Sequence, residues 1–282
     1  MLYSEIRLRD PFILVHDGKY YMFGSSGGQG FDVWTSDDLR HFDGPHPAFR
    51  APEGFWGTRD FWAPEVHAYN GAFYMFASFI SDTHNRGTAI LRAERPEGPY
   101  RPWSSGAVTP ADWMCLDGTL YVENSVPYIV FCHEWVQIKD GTICAMPLTS
   151  DLRAPAGEPV ELFSAKSAGW TDSHDGKGEN YVTDGPFLVR DEDGLWMFWS
   201  SFKDDGTGAQ YAEGIARSEN GVLGPWKHLD PLFERDGGHG MVFRDLNGQL
   251  RFVLHRPNTE PDERPVFFLL SKKDGRWTVE ER

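Results

Sequence analysis

The chain has 282 residues, of which 40% are hydrophobic and 24% charged, with a formal net charge of -15 at pH 7. That much apolar side chain supports a sizeable core and excludes a disordered polymer. The negative charge repels phosphate backbones and anionic lipid surfaces, so neither nucleic acid nor a membrane is expected as a partner.

Aromatic residues reach 15%, with 11 Trp, 10 Tyr and 20 Phe. Rings that stack on C–H faces, together with carboxylates that accept hydrogen bonds from hydroxyls, suit a neutral polyhydroxylated ligand, an oligosaccharide or polysaccharide. The same charge is also what solubility alone asks for.

At the N-terminus, Met1-Leu2-Tyr3-Ser4-Glu5 carries no basic segment followed by an apolar run, and no stretch reaches membrane-spanning length. A cytoplasmic protein is the expectation. Cys115, Cys132 and Cys144 lack paired CxxC spacing and read as reduced, packed thiols.

Along the chain, short runs of β-branched and aromatic residues alternate with Asx-Gly turns, and helical periodicity is nearly absent. One pattern recurs five times: a small or acidic residue, Pro or Gly, an apolar strand, a polar turn and an aromatic strand. The copies start at Asp10-Pro11-Phe12-Ile13, Ala63-Pro64-Glu65-Val66, Asp117-Gly118-Thr119-Leu120, Gly185-Pro186-Phe187-Leu188 and Gly240-Met241-Val242-Phe243. Starts fall about 53 residues apart, with a longer interval before the fourth, and a second hairpin follows each first one. The predicted fold is all-β: one domain over 1–282, a five-bladed β-propeller with four-stranded antiparallel blades. A β-sandwich with coincidental repetition is the competing fold.

The first strand of each propeller blade lines the central channel, so residues at the repeat starts converge on one mouth of it. They are Asp10, the Ala63–Glu65 segment, Asp117, Asp184 and His239. Each aspartate by itself is more often a turn former or cap than a catalyst. Recurrence at one phase favours a site instead, and clustered carboxylates are what glycosidic hydrolysis needs: an acid for the leaving oxygen, a base for water, and a third group to hold the acid's pKa up.

Arg9-Asp10-Pro11, Phe61-Trp62-Ala63-Pro64-Glu65, Leu116-Asp117-Gly118, Thr183-Asp184-Gly185-Pro186 and Gly238-His239-Gly240, taken as a set, resemble glycoside hydrolase family 43. The resemblance implies an inverting glycosidase acting on α-L-arabinofuranosidic or β-D-xylosidic bonds. It makes Asp10 the general base, Asp117 the group that tunes the acid, and Asp184 the acid. The family's acid is typically a Glu before Gly-Pro, so Asp184 departs by one methylene. Glu65 and Glu134 are alternative acids, with a blade-face position and a hydrogen bond to an Arg or Trp as their structural readings. His239 matches the family's axial histidine, beside which a structural calcium is the one cofactor implied. Arg256 falls where the family places a substrate-binding arginine, or else makes a surface ion pair. Trp56, Trp62, Trp113 and Trp135 lie near repeat starts, where they stack on sugar or pack the blades. A non-catalytic sugar-binding propeller and a glycoside phosphorylase on a related propeller are the alternative functions.

Overall fold

Residues 1–281 are described by the computed structural model, and within them twenty strands form five four-stranded antiparallel sheets in chain order. The first blade is β1 (Arg9–His16), β2 (Lys19–Ser25), β3 (Gly30–Ser36) and β4 (Asp43–Arg50). The second is β5 (Arg59–Tyr69), β6 (Ala72–Ile80), β7 (Gly87–Ala93) and β8 (Arg101–Ala107). Blade three is β9 (Cys115–Glu123), β10 (Val126–His133), β11 (Thr142–Pro147) and β12 (Val160–Ser164), with a single helical turn α1 (Trp135–Ile138) after β10. Blade four is β13 (Asp184–Asp191), β14 (Gly194–Asp204), β15 (Ala209–Ser218) and β16 (Trp226–His228). Blade five is β17 (Gly238–Arg244), β18 (Leu250–Arg256), β19 (Arg264–Lys273) and β20 (Arg276–Glu281). The predicted five-bladed propeller is the observed fold.

Tight hairpins set the strand register. Asp17-Gly18 and Asn70-Gly71 have positive φ at both residues, the geometry whose twist matches two-residue hairpins and which Asx-Gly adopts readily. Between blades, sheet faces bury large side chains: Phe23, Phe31, Phe49 and Phe79 are fully buried between the first two, and Trp199 packs with Phe163 between the third and fourth. Each blade consists of consecutive strands, so the ring closes by packing and not by strand exchange. At the seam, Met241, Phe243, Val253 and Phe267 of blade five share a core with Phe12 of blade one. Buried Glu263 also pairs with Arg7 across it at 3.0 Å.

The same irregularity opens the inner strand of every blade. Pairing runs from Arg9↔Ser25 to Phe12↔Phe23, and equivalently from Trp62↔Ser78, Leu116↔Cys132, Asp184↔Ser200 and Gly238↔His255. Two inner-strand residues thus face one partner, a β-bulge that re-aims a side chain. The first bulged residue has positive φ each time: Asp10, Ala63, Asp117, Gly185 and His239. Non-glycine residues in that region carry strain of about 1–3 kcal/mol each and persist only where the surroundings hold them. Asp184 therefore stands one residue before the bulge, in phase with Arg9 and Trp62, whereas Asp10, Asp117 and His239 share the strained position.

Candidate active site

The bulges open on one pocket of about 500 Å³, lined by Asp10, Asp117, Asp184 and His239 together with Ser25, Trp62, Arg9 and Tyr211. Asp10 projects from the first bulge and is fixed from three sides. The Ser25 hydroxyl donates to its Oδ2 at 2.6 Å, and the same hydroxyl oxygen accepts the Ala63 N–H at 2.8 Å, tying blade one to blade two. Its backbone N–H donates to His255 Nδ1 at 3.2 Å. His239 Nδ1 lies 3.3 Å from its Oδ1. Burial works against the charge on Asp10, but His239, Arg9 and the Ser25 hydroxyl outweigh it and hold the carboxyl below the usual range.

His255 is fully buried and neutral: burial pushes its pKa down to about 4. With Nδ1 accepting from Asp10, the hydrogen-bond network leaves Nε2–H to donate to Asn258 Oδ1 at 3.1 Å. Asn258 Oδ1 also accepts from Arg9 Nη2 at 2.6 Å, so Arg9, Asn258 and His255 form one frame behind Asp10.

The other two aspartates have the opposite tendency. Asp117 Oδ2 accepts the Gly185 N–H at 3.0 Å and lies 3.7 Å from His239 Nδ1. Burial and then the negative charge of Asp10 raise its pKa well above the ordinary value. Asp184 accepts a hydrogen bond from the Tyr211 hydroxyl at 3.1 Å, and burial followed by the charge of Asp117 lifts it to about 7. One buried pocket thus holds one carboxyl biased to ionise and two biased to keep protons, the pattern that separates a base from an acid.

Sequence reasoning singled out Asp10, Asp117, Asp184, His239 and Trp62, and the structure brings all five to this pocket. Trp62 is 39% exposed, with the Arg86 guanidinium 4.4 Å over its ring. The other candidates lie elsewhere. Glu134 is buried and gripped by Arg86 Nη1 at 2.5 and 2.6 Å, and Arg86 also holds Asp60 at 2.7 Å, so Glu134 braces the arginine behind Trp62 and is not an acid facing the pocket. Glu65 is buried two residues beyond the strained Ala63, 3.1 Å from His67 Nε2, and does not line the pocket. Arg256 lies over Phe233 and 3.9 Å from Glu281, the ion-pair reading, because strand alternation turns His255 toward Asp10 and its neighbour away. Trp56 packs on Phe79 and His84, and Trp113 stacks on His133 at 4.1 Å; neither lines the pocket. Trp135 is half-buried near His174.

Arg9, Ser25, Tyr211 and His255 were not singled out. For three of them a signal existed: Arg9 shares its phase with Trp62 and Asp184, and Ser25 and His255 pair with the pre-bulge residue of their blades as Ser78 and Ser200 do. Tyr211, on a third strand, had none.

The calcium expected beside His239 finds no protein-built cage. Calcium takes six to eight oxygens, whereas His239 Nδ1 faces two carboxylate oxygens, and among the described residues no group of three or more His, Cys, Asp or Glu is placed to hold an ion. The three cysteines are free and buried. Among the described residues no helix is long and apolar enough to cross a membrane.

The description "Glycosyl hydrolases family 43" matches residues 4–270. A solved endo-arabinase from Bacteroides thetaiotaomicron VPI-5482 superposes with a TM-score of 0.92 at 42% identity, covering 98% of each chain. A solved thermostable family-43 glycoside hydrolase gives 0.82 at 26% identity, covering 98% of this chain and 93% of its own. An extracellular exo-α-(1→5)-L-arabinofuranosidase of Cellvibrio japonicus is 24% identical over 275 residues, 89% of this chain and 74% of the relative. That extracellular relative corrects the cytoplasmic placement expected above: export depends on a removable leader, and the first residues of a folded domain do not report on it. With the matched span taking in all five bulges and the pocket they build, the chain belongs to glycosyl hydrolase family 43 and is a glycosidase.

Proposed function

We propose that the protein hydrolyses α-L-arabinofuranosidic bonds in arabinan-type oligo- or polysaccharides with inversion of configuration. Asp10 is the general base, Asp184 the general acid, and Asp117 the carboxyl that keeps Asp184 protonated. The observation that carries this reading is the convergence of Asp10, Asp117 and Asp184 on one pocket, with the Ser25 hydroxyl and His239 on Asp10 and the Asp117 carboxyl on the peptide that follows Asp184. The choice of arabinose rests on the endo-arabinase structure and the arabinofuranosidase relative.

In this scheme a water held by ionised Asp10 attacks the anomeric carbon from one face, and the proton passes to Asp10. On the opposite face Asp184 gives its proton to the departing oxygen. Asp10 cannot swing away, because Ser25 and the His255 contact at its own backbone fix both ends of the residue. Asp117 takes a hydrogen bond from the peptide that follows Asp184, and its proximity disfavours a second negative charge there.

The test is incubation with aryl α-L-arabinofuranoside, aryl β-D-xyloside and linear α-1,5-arabino-oligosaccharides in phosphate-free buffer, following the first-formed anomer by NMR. Release of arabinose in the inverted configuration is expected. No release from either arabinose substrate would refute the substrate assignment, and a retained product would refute the division of roles.

A further inference from the structure

Asp184 is linked to a line of aromatic rings that leads out of the pocket. Its hydrogen-bond partner Tyr211 lies 5.2 Å from Phe202 between ring centroids, Phe202 lies 4.7 Å from His174, and His174 lies 5.5 Å from Trp135 at an interplanar angle of 34°. Exposure rises from buried Tyr211 through half-buried Phe202 to exposed His174, and Trp135 at the far end is half-buried. A cluster serving only to pack blades would be covered, as Trp199 and Phe163 are nearby.

All three outer rings stand at the pocket end of their blades. Phe202 is two residues beyond Ser200, the partner of Asp184, and Trp135 is two beyond His133, which ends β10. His174 belongs to residues 165–183, the long interval between the third and fourth repeats, which lies beyond β12 and before the bulge of blade four. Exposed Asp172 and Asp204 adjoin the line, and the Asp204 N–H donates to Asp172 Oδ2 at 2.9 Å. Half-exposed rings flanked by carboxylates are the equipment for binding sugar: C–H faces stack and hydroxyls donate.

We propose that Trp135, His174 and Phe202 form a binding stripe for the leaving-group side of an oligosaccharide substrate. The direction follows from the acid, and so rests on the role given to Asp184 above. An acid protonates the oxygen that departs, so the departing sugars lie on the acid's side, and the stripe begins at that acid's own partner. Trp62, braced by Arg86, borders the pocket as a separate ring outside this line.

The experiment compares Trp135→Ala and His174→Ala with the unaltered enzyme on an aryl α-L-arabinofuranoside, whose leaving group is one ring, and on α-1,5-arabinohexaose. Loss of one stacking partner is expected to lower kcat/KM for the hexaose about 3–10-fold through KM, with the aryl substrate changed less than about twofold. Trp135→Phe, which keeps a ring, is expected to restore most of the loss. Equal losses on both substrates, or no loss on the hexaose, would overturn the stripe. If the unaltered enzyme cleaves neither arabinose substrate, it is the substrate assignment that fails; the stripe is then judged by the same comparison in the oligosaccharide series the enzyme does cleave.

Discussion

Replacing Tyr211 by Phe removes one oxygen and isolates its effect on the acid. The ring keeps its place, stacked on His255 at 5.6 Å and beside Phe202 at 5.2 Å, so packing is preserved. What is lost is the hydrogen bond to Asp184 Oδ2, which favours the ionised carboxylate and so holds the pKa down from where burial and Asp117 would put it. A hydrogen bond to a charged group contributes about 1.5–3 kcal/mol, and at 3.1 Å this one belongs at the low end. At about 1.4 kcal/mol per pKa unit, the basic limb of the pH profile is expected to move upward by roughly one unit. That limb belongs to the Asp184–Asp117 pair as it loses its proton, starting near the value of about 7 held by Asp184. Tyr211 makes no hydrogen bond to Asp10, so the acidic limb should stay. The assay is kcat/KM for an aryl arabinofuranoside against pH at constant ionic strength, for both proteins. A basic limb that stays put, or moves toward acid, would show that Asp184 is not the group whose proton activity follows.

Asp10→Asn is expected to lower kcat by about 10²–10⁴-fold, with an unchanged melting temperature, since the amide oxygen still accepts from Ser25; a loss of melting temperature in proportion to activity would make Asp10 a structural residue. Asp184→Ala should cripple hydrolysis of arabino-oligosaccharides while largely sparing an aryl glycoside with a highly acidic phenol, which departs with little help; equal losses on both would remove Asp184 from the acid's role. Glu213 is fully buried and burial raises its pKa from 4.5 to about 8. The folded chain therefore binds more protons than the unfolded one between those values, and stability is full below about 4.5 and is lost as pH rises through 8. Glu213→Gln should flatten that decline in melting temperature between pH 5 and 9, leaving the part due to Asp117 and Asp184; an unchanged slope would show that Glu213 is already ionised.

The blade repeat was legible because it is local: an Asx-Gly turn with an apolar strand before it and an aromatic one after needs only neighbouring residues to be read. The convergence of Asp10, Asp117 and His239 followed from repeat phase, since all three occupy the strained bulge position. Phase is also where the reading was coarse, because a one-residue difference at Asp184 cannot be seen until the bulge is located. Arg256 shows the same limit. Its neighbour His255 faces the site, and which of two adjacent strand residues turns inward depends on register, not on residue type. Glu134 was legible as an acid by chemistry alone, and its capture by Arg86 joins the residue before β7 to the residue after β10, 48 residues apart in the chain. Localisation failed for a different reason, since no contact inside a folded domain records its export.

Three aspartates with the same intrinsic chemistry take different roles here, and the bulge supplies the reason. At the first bulge the strained backbone aims Asp10 between His239 and the Ser25 hydroxyl, with the Arg9 guanidinium adjacent in sequence, and ionisation is favoured. The same bulge in blade three aims Asp117 at the same imidazole from farther away, and there burial and then the charge of Asp10 favour the protonated form. Blade four has glycine at the strained position, where an added Cβ would come within 2.8 Å of the His239 ring, so no side chain can enter from that point. Its carboxyl has to arrive one residue earlier, on the side of Tyr211 and away from the Ser25 hydroxyl. An acid one position out of phase is thus a consequence of the space His239 occupies. Strain at four non-glycine residues is offset by contacts reaching across blades: Ser25 to Ala63, Ser78 to Asp117 and Ser200 to His239 each bind a strained N–H, and His255 does the same for Asp10 across the seam. In blade three Cys132 stands where those serines stand, and the Gly185 N–H it would have served goes instead to Asp117, which couples the tuning carboxyl directly to the backbone of the acid.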